Sequence, residues 1–217
     1  MARKGEHRAA IVEAAVRLFR RQGYAATGIN EIAADSGAPK GSLYHYFPTG
    51  KAQIGAAAVT LAGEIVAATL GALMKEADSA ADLVGLYGAK LGGWMESSHF
   101  RDGCPIATVL LEAAPADEAI AEAGRSAFSA WSTALRDALV SDGVPNERAG
   151  QLARFAIAAI EGSLIQARVE HSADAIRETT QELGQMFTSA RRTIRRIGRQ
   201  IDPLDADVHA ATRRPHC

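Results

Sequence analysis

Residues 27–51, TGINEIAADSGAPKGSLYHYFPTGK, read as two short helices joined by a tight turn. Ile29, Ile32 and Ala33 fall at i, i+3 and i+4, which gives the first helix one apolar face. Gly37 supplies the stop, at a place where the chain needs a positive φ. Pro39 then suits an early helical position, because its missing N–H would go unpaired there in any case. In the second helix Leu43 and Phe47 lie at i and i+4 and face inward. Lys40, Ser42, Tyr44, His45 and Tyr46 are spread over the rest of its surface. The run YHYF alone could fill a core. Proline, lysine, glycine and serine just upstream favour instead a recognition helix of a helix–turn–helix, entering the DNA major groove by its N-terminal residues.

The charge distribution agrees. The chain is near neutral, yet residues 1–51 hold eight Lys/Arg against four Asp/Glu, while residues 52–190 hold nine against eighteen. Phosphate attraction depends on the local patch, so double-stranded DNA is the expected partner of the first segment. Hydrophobic residues make up 47% of the 217 and charged residues 23%, which excludes global disorder. Ala and Gly are abundant and β-branched runs scarce, so helix is expected throughout. Apolar stretches are broken by charge, and no signal peptide opens the chain, so neither a membrane span nor secretion is expected. Two cysteines, Cys104 and Cys217, form no framework, which fits a reducing cytoplasm.

The expected architecture is all-α, with about nine helices. A helix–turn–helix head occupies 1–51, a helical ligand-binding and dimerisation body 52–201, and a flexible tail 202–217. The first helix runs from about Glu6 to Gln22, with Ile11, Ala14, Ala15, Leu18 and Phe19 as its stripe and Gly23 as its stop. A long helix from Lys51 to about Glu76 links head to body. Others are expected near 79–98, 105–114, 116–141, 146–171 and 174–200, punctuated by Asp102-Gly103, Pro105, Asp142-Gly143 and Pro145. In the last, Ile176, Thr180, Leu183, Phe187, Ala190, Ile194, Ile197 and Ile201 form a heptad seam. With Phe155, Ala159, Gly162 and Ser163 of the preceding helix, the residues Leu183, Phe187, Ala190 and Ile194 are the expected homodimer interface. The alternative is that the seam packs within its own chain.

SGAPKGSLYHYF, preceded by NEIA and followed by PTGK, resembles the recognition segment of TetR-family transcriptional regulators. GAPKGSLYHYFP and the later GCPIATVLLE are most similar to the LmrA- and YxaF-type subgroup. The resemblance implies a homodimeric, ligand-responsive regulator, typically a repressor that leaves a palindromic operator when a small molecule binds the body. It also implies DNA contacts from Thr27, Pro39, Lys40, Gly41, Tyr44, His45 and Lys51, with Ser42 and Tyr46 beside them. Chemistry agrees: Gly41 lets the backbone approach closely, Lys40 reaches a guanine edge or a phosphate, and Lys51 opens a helix whose dipole favours phosphate. Two positions depart from the family pattern. Gly50 lengthens the link between Phe47 and Lys51, and Gly28 stands where a hydroxyl residue is common.

In the body, Trp94, Met95, Phe100, Phe128, Trp131 and Phe155 are candidates to line an apolar effector cavity, or else they fill the core. Glu161 lies in AIAAIEGSLI, flanked by apolar residues, and if buried it needs a structural partner or a ligand. Gln166 is a further polar candidate. Cys104 precedes a helix whose N-terminus lowers a thiol pKa, which raises a redox role, although an inert thiol is commoner. Arg191, Arg192, Arg195, Arg196 and Arg199 read as a solvated helix end. Glu96 and His99 form a lone Glu-x-x-His without the second pair that a di-iron bundle needs, and no hydrolase, P-loop or dinucleotide fingerprint is present. No catalytic residue, metal or cofactor is therefore expected. The alternative to a DNA-binding regulator is a helical ligand-binding or interaction module.

Overall fold

The computed structural model describes residues 5–201, with side chains as far as Arg191. These residues form nine helices and no strand: α1 (Glu6–Gln22), α2 (Ile29–Ser36), α3 (Lys40–Tyr46), α4 (Lys51–Leu73), α5 (Ala80–Ser97), α6 (Pro105–Ala113), α7 (Glu118–Ser141), α8 (Asn146–Glu170) and α9 (Asp174–Ile201). Local chemistry sets their ends. The Ser79 hydroxyl accepts from Asp82 N at 3.1 Å, and Asp117 accepts from Ile120 N at 3.0 Å, so both starts are capped. Pro105 opens α6, and Gly23, Gly37 and Gly143 close helices with positive φ. The 202–217 tail lies outside the described residues.

The first hydrophobic cluster contains Ile11, Phe19, Ile32, Leu43 and Phe47 of the head, all fully or nearly fully buried. It also takes Ile54 and Val59 from α4, Ile106 and Val109 from α6, and Ile120 from α7. Three short helices bury too little surface to be stable alone, and this shared core supplies the rest. The second cluster joins α5, α7, α8 and α9 around Tyr87, Trp131 and Phe187. α4 is long and apolar enough to cross a bilayer by length and composition. It packs instead against α1, α5, α6 and α7, and Glu64 faces solvent.

As far as Ala190 the α9 seam turns inward, contrary to the dimer expectation. Leu183 and Phe187 are 1% and 2% exposed and pack against α5 and α8 of their own chain. α5 and α9 meet so closely that a Cβ on Gly88 would clash with the Thr180 side chain. Ser163 is also buried, its hydroxyl donating to Ile160 O at 2.8 Å. Ala159 and Ala190 are half-buried against the same core, and the Ile194 side chain lies outside the described ones. The apolar stripe left outside is on α8. Phe155, Ala158, Gly162, Ile165 and Val169 recur at alternating spacings of three and four, with Phe155, Ile165 and Val169 exposed by 52%, 63% and 75%. A heptad pattern marks a packing face without naming its partner, and here the chain used one of its two such faces internally.

Candidate nucleic-acid interface and effector cavity

α2 ends where Gly37 adopts left-handed backbone, φ 65°, and Ser36 straddles the turn. Its hydroxyl donates to Ala33 O at 2.9 Å and accepts from Ala38 N at 3.2 Å. Pro39 stands just before α3 with φ −55°, and Ser42 N donates to Pro39 O at 2.8 Å. Leu43 and Phe47, each 1% exposed, anchor α3 to the head core. Pro39, Lys40, Gly41, Tyr44 and His45 are exposed, while Ser42 and Tyr46 are half-buried. The Tyr46 ring packs against the head cluster and meets His45 edge-on at 5.0 Å. A Cβ at Gly41 would meet nothing within 4 Å, so no packing demand explains glycine there. The N-terminal half of α3 is therefore an exposed surface not used in packing.

Thr27 and Lys51 are placed differently from expectation. Thr27 is fully buried, and its hydroxyl donates to Gly23 O at 2.7 Å, closing the α1–α2 turn. Lys51 Nζ donates to Ala25 O at 3.2 Å and sits 4.4 Å from the centre of the Tyr24 ring. Burial lowers the Lys51 pKa, and the Glu112 carboxylate opposes that shift. Much of the head's positive charge is also spent internally. Arg17 pairs with Asp35 at 2.8 Å, and Arg20 and Arg21 both pair with Asp102 of the body. Arg8 lies over the Phe47 ring, and among the described residues Lys40 makes no ion pair.

Several bonds tie the head to the body. Glu112 of α6 accepts from Tyr24 N at 3.1 Å and Ala25 N at 2.6 Å. Gly103 N donates to Arg20 O at 2.8 Å, and Arg168 of α8 donates to Arg21 O at 3.1 Å. The α1 C-terminus, which leads into the helix–turn–helix, is thus held by α6, by Gly103 in the loop before it, and by α8.

Beneath this joint lies a cavity of about 350 Å³. Val16 and Arg20 of α1 form one wall, and α4 to α8 form the others. Of the sequence candidates, Trp94, Met95, Trp131 and Glu161 line it. Phe128 lines a broad open groove between α6, α7 and α8, to which Cys104 and Glu161 also belong. Phe100, Phe155 and Gln166 line neither. Phe100 packs against the body core and meets His171 edge-on, while Phe155 and Gln166 face outward from α8. Arg20 and Asp102 were not foreseen in this role, since Asp102-Gly103 reads locally as a helix breaker.

Burial raises the Glu161 pKa, and the neighbouring Cys104 thiol, bonded to it, partly offsets the rise. The Cys104 thiol is pushed well above its ordinary value, first by burial and then by Glu161. Burial thus outweighs the helix N-terminus, as in the commoner, inert-thiol reading of Cys104. Burial likewise raises the Tyr87 phenol. His99 lies beyond the end of α5 with φ 53°, so it shares no helical face with Glu96.

Residues 11–59 match the family model described as bacterial regulatory proteins, tetR family. Residues 80–182 match the C-terminal domain of LmrA/YxaF-like transcriptional regulators. The chain is 34% identical over 165 residues to the HTH-type transcriptional regulator YxaF of Bacillus subtilis, covering 76% of this chain and 86% of that protein. With LmrA of the same organism it shares 32% over 161 residues, covering 74% and 86%. A solved TetR transcriptional regulator from Legionella pneumophila has a similar fold, with TM-score 0.74 at 20% identity over 82% of this chain and 96% of that one. Another from Chloroflexus aurantiacus gives 0.70 at 27% identity over 86% and 97%.

Proposed function

The chain belongs to the TetR family of bacterial transcriptional regulators, on its LmrA/YxaF-like branch, and from that premise we propose a homodimeric, ligand-responsive repressor. Regulators of this family bind DNA operators and small-molecule effectors, usually as dimers, and are not enzymes. Two recognition helices enter successive major grooves of a palindromic operator, and the surface offered to each groove is Pro39, Lys40, Gly41, Ser42, Tyr44, His45 and Tyr46. The second copy docks on the outward α8 stripe of Phe155, Ala158, Gly162, Ile165 and Val169. A small apolar or aromatic effector occupies the cavity, in the cytoplasm where the operator lies. Functional duties divide near residue 51 even though the packing runs across it.

One observation carries the reading: α1 of the head is itself a wall of the cavity. A ligand pressing on Val16 and Arg20 meets the same helix whose C-terminus aims the DNA-reading turn. Release requires only that the ligand prefer a head position that does not fit the operator. Selection of bound sequences from genomic fragments tests the reading. A palindrome near the chain's own gene is the expected outcome, and no enrichment at low salt would favour a binding module without DNA recognition. On the selected site, Lys40→Ala should reduce the salt dependence of log K by about one unit of slope. Lys51→Ala should weaken binding while keeping that slope, because its ammonium already serves the α1–α2 turn.

A further inference from the structure

Four buried side-chain atoms lack a hydrogen-bond partner among the described residues, and three of them belong to cavity-lining side chains: Arg20 Nε, Trp131 Nε1 and Glu161 Oε1. Arg20 Nε lies 2.8 Å from Asp102 Oδ2 in an ion pair, which leaves Trp131 Nε1 and Glu161 Oε1 with neither bond nor ion pair. The charges around them do not cancel. Asp102 is engaged by Arg20 and Arg21, and burial keeps Cys104 and Tyr87 in their neutral forms. Of the charged residues on the cavity wall, Arg20 and Asp102 pair with each other, and Glu161 is left as an acid without an ion pair among the described residues. A carboxylate enclosed in this way gains strongly from an opposite charge, because little water screens the pair. The rings of Tyr87, Trp94 and Trp131 share the same walls, and their π faces attract cations. Among its lining residues, Ile65 and Trp94 are apolar and still partly exposed.

We propose that the effector is an organic cation: an aromatic or alicyclic body carrying a protonated nitrogen whose N–H donates to Glu161. The rings of Trp94 and Trp131 enclose the body, and an acceptor atom on it satisfies Trp131 Nε1. A neutral hydroxyl would fill the hydrogen bond but leave the charge of Glu161 unbalanced. The inference deepens the effector reading above and rests on it, since it concerns the same cavity.

The test uses two related probes, imipramine, a tricyclic amine cationic at neutral pH, and iminodibenzyl, its uncharged parent ring. Binding is measured by calorimetry and tryptophan fluorescence on the full chain without DNA. Imipramine should bind at least about tenfold tighter than iminodibenzyl. Glu161→Gln, which keeps shape and removes charge, should erase that advantage while iminodibenzyl binding stays within about twofold, which also shows that the cavity is intact. Equal binding of the two probes, no binding of imipramine, or an unchanged imipramine affinity in the variant would overturn the inference. Operator release is read separately. If a neutral aromatic releases the operator and imipramine does not, cation recognition fails and the effector reading stands. If imipramine binds through Glu161 but leaves the operator complex intact, the cation chemistry stands and the effector role of the cavity fails.

Discussion

Glu161 carries one of the buried polar atoms that find no partner among the described residues. Burial raises its folded pKa, so between the ordinary glutamate range and that raised value the folded chain holds a proton that the unfolded chain has released. By linkage, stability falls as pH rises through this window and stays lower above it. Melting temperatures of wild type and Glu161→Gln should therefore diverge in favour of the variant as pH is raised from 4.5 to 8. A pH-independent difference would show that Glu161 is ionised and satisfied in the empty protein. Sequence made Glu161 conspicuous, because a charge within two apolar turns is visible locally. It could not reveal that Cys104 would be its neighbour, nor that burial would override the helix terminus at that thiol. Lys40 and Lys51 make the same point. Both are basic and near helix starts, yet one is free and the other is bonded to Ala25 O, a carbonyl that local reasoning does not place.

At the scale of elements, α6 deserves the name of a strut. It lines the cavity through Ile106 and the groove through Leu110, and its Glu112 holds two backbone N–H groups of the α1–α2 turn. Glu112→Ala should leave global stability within roughly 1–1.5 kcal/mol, since both donors lie near solvent and can turn to water. Hydrogen exchange at Tyr24 and Ala25 should quicken, and operator affinity should fall. Unchanged exchange there would mean that the turn is held by Thr27 and Lys51 without α6. Helix order and bounds were legible in advance because caps, glycine stops and apolar periodicity act within a turn or two. The direction of the α9 seam was not. Its heptads required burial, and α5 met that requirement by bringing Gly88 against Thr180.

For the whole molecule, the exposed α8 stripe is the surface on which assembly turns. Ile165→Glu with Val169→Glu places charge on two side chains that touch solvent in the single chain, so folding should survive and far-UV circular dichroism should be unchanged. Sedimentation should show monomers, and affinity for the palindrome should drop by about 100-fold or more as the two heads lose their linkage. A variant that stays dimeric would move the interface off this stripe. The sequence by itself determined the nine helices, the helix–turn–helix and the inward and outward faces of α3, because each is written in neighbours less than two turns apart. Only the tertiary structure decided that Thr27 is buried, that Lys51 bonds to Ala25 O, and that α8 keeps an apolar stripe outside while the α9 seam packs inward as far as Ala190. It alone also decided that Arg21 meets Asp102 from 81 positions away. Those outcomes depend on competition among distant surfaces for burial and for charge, and that competition is resolved only when all the helices are packed together.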